Sequence, residues 1–297
     1  MLGEEQAQQG LPRSVELQRT PFYPQQDYQC GPAALATVLT DSGIATSPQD
    51  LVAQVYIPGR AGSLQIELLA AARRAGRLPY LIEPNLGALL AELAAGRPVL
   101  ILQNLGLGFA PVWHYAVVVG YDTDSGELIL RSGTTERRRV PAAKFARSWR
   151  ASEQWGVVVL RPGELPVAPS RKRYLQAVNA LEQAGHADAA LAAYLAAAER
   201  WPDSANAWFA LANAYYAAGQ WGAAERGYRT ALERSPDDAA AWNNLAQLLL
   251  SQHRCTDAQA ALDRGLAVED TAPAISSALA SSADAIANRC PGTQAGQ

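Results

Sequence analysis

The sequence has 297 residues, more than the roughly 100 to 200 of an ordinary single domain, so two domains are expected. Its 49% hydrophobic and 18% charged residues exclude a chain that is disordered throughout. A net charge of -3 indicates no general affinity for nucleic acid, and no apolar run approaches the roughly 18 residues of a membrane span, so neither a nucleic-acid partner nor a span is expected.

The first half of the chain predicts an α+β domain. Three segments carry the apolar pattern of helices, and four later segments have the composition of strands. The predicted helices cover 31–39, 64–75 and 86–95, and the predicted strands cover 99–103, 115–121, 128–131 and 155–160. Hairpin-type residues at 124–126 indicate that these strands are antiparallel. A basic run, Arg137 to Arg139, is typical of a solvated strand or turn.

A proline-rich segment, Arg161 to Ser170, interrupts both helix and strand patterns and predicts the domain boundary. We therefore expect an N-terminal extension, an α+β domain, a short linker and a helical domain. Their predicted ranges are 1–20, 21–162, 163–170 and 171–290.

The second half has a 34-residue period, visible when segments starting at Arg171, Ala205 and Ala239 are aligned. The fourth and twentieth positions carry a recurring aromatic residue and a recurring alanine: Tyr174, Trp208, Trp242, and Ala190, Ala224, Ala258. The pattern resembles the tetratricopeptide repeat, in which small residues let paired helices approach and a proline, here Pro202 or Pro236, closes each repeat. We predict an all-α solenoid whose groove binds a protein partner. Its repeats are 171–204, 205–238 and 239–272, followed by a capping helix, 273–289.

Two of the three cysteines, Cys255 and Cys290, fall at predicted helix ends that antiparallel packing brings together. A disulfide and two unpaired buried thiols are both compatible with this pattern. A disulfide favours an oxidising compartment, hence a periplasmic, secreted or lipid-anchored protein that has lost a signal segment. The cytoplasm is the alternative, because Met1 to Gly10 lacks the pattern of a secretory signal.

The third cysteine, Cys30, lies at a predicted helix start, where the helix N-terminus favours the thiolate. A lone cysteine is more often a small buried hydrophobe, so its position alone does not make it a nucleophile. His114 opens a predicted strand, and a thiol at a helix start with an imidazole at a strand start form the nucleophile and base of a papain-like site. His186 and His253 fall in predicted turns. With histidines this far apart, neither a metal site nor a cofactor is expected.

These motifs resemble the papain-like peptidases that process bacteriocins by removing double-glycine leader peptides. The resemblance covers roughly Pro21 to Leu160. It rests on the Cys30 to Leu35 and His114 to Asp122 motifs, with further matches at Tyr23 to Gln26 and Phe145 to Trp149. The resemblance implies a papain-like fold in which Cys30 attacks a carbonyl and His114 moves the proton.

The resemblance also implies an oxyanion hole beside the Cys30 backbone N–H. Gln25 would supply the side-chain amide, because this role needs a neutral donor aimed at the developing alkoxide. The adjacent Gln26 is an alternative for the same role, and both can instead be ordinary turn residues.

The third member of the site departs from the family pattern. The family has Asp or Asn on the strand after the histidine strand, and Ser132 occupies that position here. A hydroxyl can accept a hydrogen bond from the imidazole N–H but carries no charge to stabilise the imidazolium. Asp122 and Asp124 are substitutes in principle, but their hairpin position is typical of turn formers.

The sequence thus favours a cysteine peptidase that acts on a peptide or protein, with the helical repeats recruiting a partner or the substrate. One alternative is a catalytically degenerate adaptor that keeps the fold and binds peptides or proteins, which Ser132 motivates. A second is a cysteine-dependent acyl or amide transferase.

Overall fold

The computed structural model describes residues 2–25 and 29–290, which form two compact units, Met1–Ala189 and Ala190–Gln297. The helices of the first unit are α1 (Leu2–Gln8), α2 (Cys30–Asp41), α3 (Pro48–Val55), α4 (Gln65–Arg74), α5 (Leu86–Ala94), α6 (Ala142–Arg150) and α7 (Arg171–Gln183). The strands are β1 (Ser14–Glu16), β2 (Tyr56–Ile57), β3 (Gly62–Ser63), β4 (Leu78–Leu81), β5 (Val99–Asn104), β6 (Trp113–Asp122), β7 (Glu127–Ser132), β8 (Thr135–Pro141) and β9 (Gly156–Leu160). The predicted α+β class with antiparallel strands is confirmed.

A seven-stranded antiparallel sheet forms the centre of the first unit, in the order β4-β9-β5-β6-β7-β8 with β1 paired to β6. The longest strand, β6, contributes seven consecutive buried residues. Gly120 lets β1 approach it, because a Cβ atom there would lie 2.3 Å from the Val15 carbonyl oxygen. The short segment Ser14–Glu16, although close to the N-terminus, is therefore part of the sheet.

The two faces of the sheet carry different helices. Tyr115, Val117 and Val119 of β6 pack in one core with α2. Side chains alternate along a strand, so the neighbouring positions face the other way. On that side Gln103 of β5 donates a hydrogen bond to Ser148 of α6. Helix α2 is buried from Gly31 to Leu39, which explains its continuous apolar composition.

The second unit consists of consecutive helices, as the 34-residue period predicts. The unit starts at Ala190, inside the first of these helices. The helices are α8 (Ala187–Arg200), α9 (Ala205–Ala217), α10 (Trp221–Arg234), α11 (Ala239–Ser251), α12 (Cys255–Leu266) and α13 (Pro273–Arg289). The recurring tryptophans have a recurring partner: the indole N–H of Trp208 donates to the carbonyl of Pro202, and Trp242 donates to Pro236. Each bond joins the start of one repeat to the end of the preceding one.

Helix α7, at the start of the first predicted repeat, packs with the first unit. Its Tyr174 ring lies 6.4 Å from the ring of Tyr80 on β4, and the Tyr80 hydroxyl accepts from the Ser170 N–H. The predicted linker, 163–170, belongs to the same unit. The functional domain boundary at this linker stays a prediction.

A disulfide joins Cys255, at the start of α12, to Cys290, just after α13. The two Cα atoms lie 5.8 Å apart and 35 residues apart in sequence, so the bond closes a loop around the last two helices. The pairing suggested by the predicted helix ends is thereby confirmed. Within residues 2–25 and 29–290, no helix is long and apolar enough to cross a membrane.

Removal of the disulfide is expected to destabilise the second unit. Replacing both Cys255 and Cys290 by Ser frees a loop whose closure is worth about 3–4 kcal/mol. Urea unfolding followed by circular dichroism should show this loss in the double variant and, with reductant, in the unaltered protein. Equal unfolding midpoints with and without reductant would contradict the prediction.

The contact between α9 and α10 is expected to be intolerant of added volume. A Cβ atom at Gly227 would lie 2.9 Å from the Ala212 Cβ, whereas at Gly222, on the same helix, it would meet only the flexible end of Arg226. Gly227→Leu should lower the free energy of unfolding by about 1–3 kcal/mol, and Gly222→Leu should leave it equal or higher. Parallel urea titrations test the pair, and equal effects would refute the packing argument.

Candidate active site

Cys30 is the first residue of α2, at a helix N-terminus that no side chain caps. The amide groups of a first helical turn have no carbonyl partner within the helix, so they favour negative charge nearby. Gly31 lets the β3 hairpin lie against this end, since a Cβ atom there would be 2.3 Å from the Ser63 hydroxyl. The thiol is thus placed between a helix start and a hairpin.

His114 is the second residue of β6, opposite Gln103 of β5. Its Nε2 atom lies 2.9 Å from the Ser132 hydroxyl at the end of β7. Ser132 is only 3% exposed, so this contact is sheltered from water. With Nε2 engaged, Nδ1 is the ring nitrogen left to accept a proton from a thiol.

Cys30, His114 and Gln25 line one cleft of about 730 Å³. One rim is the segment from Arg60 to Leu64, and the other runs from Pro111 to Tyr115. The structure therefore brings together three of the four predicted site residues, and it places the fourth, Ser132, against the far side of the imidazole.

Gln25 is held by the main chain on both sides. Its backbone N–H donates to the Gly133 carbonyl, and its side-chain amide donates to the Tyr115 carbonyl at 3.3 Å. An amide group has two hydrogens, so one remains for a ligand in the cleft. The alternative donor, Gln26, lies outside the described residues.

Burial sets the protonation of the two reactive groups. It raises the pKa of the Cys30 thiol, against which backbone hydrogen bonds from Tyr115, Gly31 and Cys30 itself act. Burial, together with the smaller effect of the positive charge of Arg138, lowers the pKa of His114 to about 4. At neutral pH the resting pair is therefore a neutral thiol and a neutral imidazole.

The two hairpin aspartates are remote from the imidazole. Asp122 is the last residue of β6, eight positions from His114, which corresponds to about 27 Å of extended strand. Its carboxylate accepts the backbone N–H groups of Asp124 and Ser125 and pairs with Arg139. These are the contacts of a turn former, so Ser132 is the partner of the imidazole.

Neither of the remaining histidines is among the residues that line the cleft. His186 is in the turn before α8, where its Nε2 lies 2.9 Å from the carbonyl of Arg74. His253 follows α11 in the left-handed backbone region, with φ at 59°. Among the described residues, no cluster of His, Cys, Asp and Glu could hold a metal ion.

Two parts of the cleft were not predicted from the sequence. The β3 residue Ser63 accepts the Tyr115 hydroxyl through its carbonyl, while its own buried hydroxyl has no hydrogen-bond partner among the described residues. The loop between β5 and β6 exposes large apolar side chains, including Leu107 and Phe109, and Trp113, the first residue of β6, is exposed next to it. The apolar loop adjoining His114 was a usable signal in the sequence, whereas the short β2–β3 hairpin gave none.

Comparison with known proteins assigns both parts of the chain. Residues 17–157 match the model of the Peptidase_C39 like family, and residues 171–214 and 205–248 match the tetratricopeptide repeat. No curated protein matches the chain.

Solved structures resemble each part separately. A Bacillus anthracis protein described as a C39-like peptidase has 18% identity and a TM-score of 0.42, with 50% of this chain and 98% of that chain covered. The Yersinia enterocolitica type III secretion chaperone SycD, in complex with a peptide of the translocator YopD, has 16% identity and a TM-score of 0.37, covering 40% and 92%. The first tetratricopeptide repeat domain of Spaghetti (RPAP3), bound to an HSP90 peptide, has 17% identity and a TM-score of 0.35, covering 39% and 95%.

At these identities and TM-scores, the assignment depends on the sequence models, which confirm the resemblances predicted from the cysteine and histidine motifs and from the 34-residue period. The chain joins a domain of the peptidase C39-like family, matched over residues 17–157, to tetratricopeptide repeats, matched over residues 171–248.

Proposed function

We propose that this protein is a cysteine peptidase of the type that removes leader peptides, with its repeats recruiting a protein partner or the substrate. The observation that supports it is the cleft that Cys30, His114 and Gln25 share. In this cleft the imidazole is held by a hydrogen bond between its Nε2 and the Ser132 hydroxyl. A buried cysteine with a purely structural role would not need this arrangement.

The first chemical step forms an acyl-enzyme. His114 Nδ1 takes the thiol proton as the Cys30 sulfur bonds to the carbonyl carbon, and the carbonyl electron pair moves to oxygen. The remaining Gln25 N–H and the Cys30 backbone N–H stabilise that oxyanion. His114 then gives the proton to the leaving amine as the C–N bond breaks, and water releases the acyl group by the reverse sequence.

The neutral resting pair makes proton transfer part of the attack. Because burial disfavours both the thiolate and the imidazolium, no ion pair is present before the substrate binds. A substrate that fills the cleft excludes water and places the carbonyl at the first turn of α2, where developing negative charge is favoured. The exposed apolar loop beside His114 suits apolar side chains next to the scissile bond.

The repeats supply a second binding surface in this proposal. Stacked helix pairs form a concave groove, and apolar side chains such as Tyr216, Trp221 and Leu266 remain exposed on the second unit. The disulfide between Cys255 and Cys290 supports an oxidising location, periplasmic or extracellular, with cytoplasmic residence as the alternative.

A degenerate adaptor is the second candidate, favoured by Ser132 and Arg138. Neither residue stabilises a protonated imidazole, and the charge of Arg138 opposes it. An acyl or amide transferase would use the same residues with a non-water acceptor, and mass analysis of the products separates it from hydrolysis.

Labelling of the thiol distinguishes the peptidase from the adaptor. Of the three cysteines, all described by the structure, Cys30 alone is free, so a peptidyl vinyl sulfone reports on it specifically. His114→Ala should slow labelling about 100-fold or more, the usual contribution of a general base. His186→Ala, outside the cleft, is the matched control and should label normally.

A mixture of proteome-derived peptides provides the accompanying activity measurement. Cleavage should occur with the unaltered protein and be absent with Cys30→Ala. Equal labelling of the His114→Ala and unaltered proteins, together with no cleavage, would favour the adaptor.

A charge at position 132 is expected to shift the pH dependence. Ser132→Asp places a carboxylate against His114 Nε2, which should raise the His114 pKa from about 4 by about 1–3 units. Because the neutral imidazole is the base, the acid limb of the kcat/KM profile should move to higher pH, while stabilisation of the transient imidazolium increases the rate near neutrality. Ser132→Asn, uncharged and similar in size, should leave the limb near pH 4. Identical profiles for both variants would be incompatible with an electrostatic role for this position.

A further inference from the structure

A second cavity, of about 370 Å³, lies on the α6 side of the sheet and shares Ser132 with the active site. Its floor contains Gln103 and Ser148, and its walls come from β8, α6 and the loop after β5. Ser132 and Gln103 are 3% and 4% exposed, so the floor is polar and buried.

The walls carry three cations and no acid. Arg138, Lys144 and Arg147 all line the cavity, whereas no Asp or Glu does. Within the part of the chain that the structure describes, none of the three has an ion-pair partner or a side-chain hydrogen bond. A concave surface with one sign of charge concentrates counter-ions.

The neighbouring arginines on β8 show that this lack of partners is selective. Arg137 pairs with Glu16, and Arg139 pairs with Asp122 and Glu127. Alternate residues of a strand face opposite sides, so Arg138 is directed differently from both. Of the three arginines, Arg137 and Arg139 are therefore ion-paired, whereas Arg138 lines the cavity without an ion-pair partner among the described residues.

Ser132 connects the cavity to the imidazole. A serine hydroxyl has one hydrogen and two acceptor lone pairs. It can accept the His114 Nε2–H, at the observed 2.9 Å, and donate its own hydrogen to a ligand in the cavity. An anion in the cavity would therefore be linked to the imidazole through the Ser132 hydroxyl. It would lie on the side of the ring where papain-like enzymes have their charged or polar third member.

We propose that this basic cavity binds a small carboxylate, which supplies through Ser132 the negative charge that the side chain at position 132 lacks. The chemical class follows from the site: two guanidinium groups present the forked donors that match a carboxylate, and the volume accommodates a small dicarboxylate. The regulatory consequence, activation of the peptidase by the bound anion, depends on the function proposed above; anion binding does not.

The electrostatics around His114 give the direction of the effect. The charged and titratable groups that line the cavities on its two sides are Cys30, Arg60 and Tyr115 in the cleft, and Arg138, Lys144 and Arg147 across Ser132. No acid among the described residues lines either cavity. An anion beside Arg138 offsets a charge that lowers the pKa of His114, so binding should raise that pKa.

Malonate is the probe, and the His114 pKa is measured by NMR titration of its imidazole resonance in a carboxylate-free buffer. Malonate should raise the pKa by about one unit, and sodium chloride of equal ionic strength should not. In the triple variant Arg138→Gln, Lys144→Gln, Arg147→Gln, the response and the calorimetric binding of malonate should both be lost. Arg150→Gln, on the same helix but outside the cavity, should retain both.

Two variants at the shared residue test the route. Ser132→Ala should still bind malonate, because the cations remain, but its His114 pKa should no longer respond. In Ser132→Asp, malonate should change the His114 pKa little, since position 132 already carries a negative charge. Equal shifts with chloride, a shift that survives in the triple variant, or binding of phosphate but not malonate would each overturn the proposal.

Activity is measured separately. With the unaltered protein, malonate should raise kcat/KM about tenfold near neutral pH, which corresponds to one pKa unit. If the NMR shift and binding occur without any peptide cleavage, the proposed peptidase function fails while the anion site stands. If cleavage occurs without malonate binding, the anion site fails alone.

Discussion

The antiparallel pairing of β6 with its neighbours is the constraint on which the site depends. Pairing with β7 brings the end of that strand to the start of β6, so Ser132 reaches the imidazole of His114. The other face of β6 packs on α2 and thereby fixes the helix whose first residue is Cys30. A one-residue slip would turn every side chain of the strand to the opposite face and separate all three groups. The close passage of β1 at Gly120 opposes such a slip, because any other residue there would place a Cβ atom against the Val15 carbonyl oxygen.

Within this frame, burial and charge both oppose protonation of the His114 imidazole. The sheltered position of His114 gives a well-defined geometry but makes protonation of the ring costly, and Arg138 adds to that cost. Cys30 has compensation from the amide groups around it, whereas the histidine has only the Ser132 hydroxyl. Burial therefore disfavours both charged forms, and the imidazolium has fewer compensating contacts than the thiolate. That imbalance explains why a basic cavity behind Ser132 is chemically meaningful.

Much of this organisation could be predicted from local patterns. The strands at 99–103 and 115–121 were evident because both faces are buried, which gives continuous apolar runs. The basic run of β8 left both strand and turn open because its residues are charged and largely exposed, and β1 was not predicted because three residues carry no periodicity. The Cys30 and His114 motifs identified the reactive pair. The cation cavity could not be predicted, since it depends on which arginine of a run of three faces α6, and that is a property of strand pairing.

The burial of Cys30 has a consequence for the redox chemistry of the whole chain. Thiol–disulfide exchange and oxidation to sulfenic acid both proceed through the thiolate, so a thiol with a raised pKa reacts slowly with oxidants and with other disulfides. Once the first unit has folded, the same protonated state that postpones proton transfer until substrate attack therefore slows exchange of Cys30 with the disulfide between Cys255 and Cys290. In surroundings oxidising enough to keep the disulfide between α12 and α13 closed, the nucleophile can remain reduced.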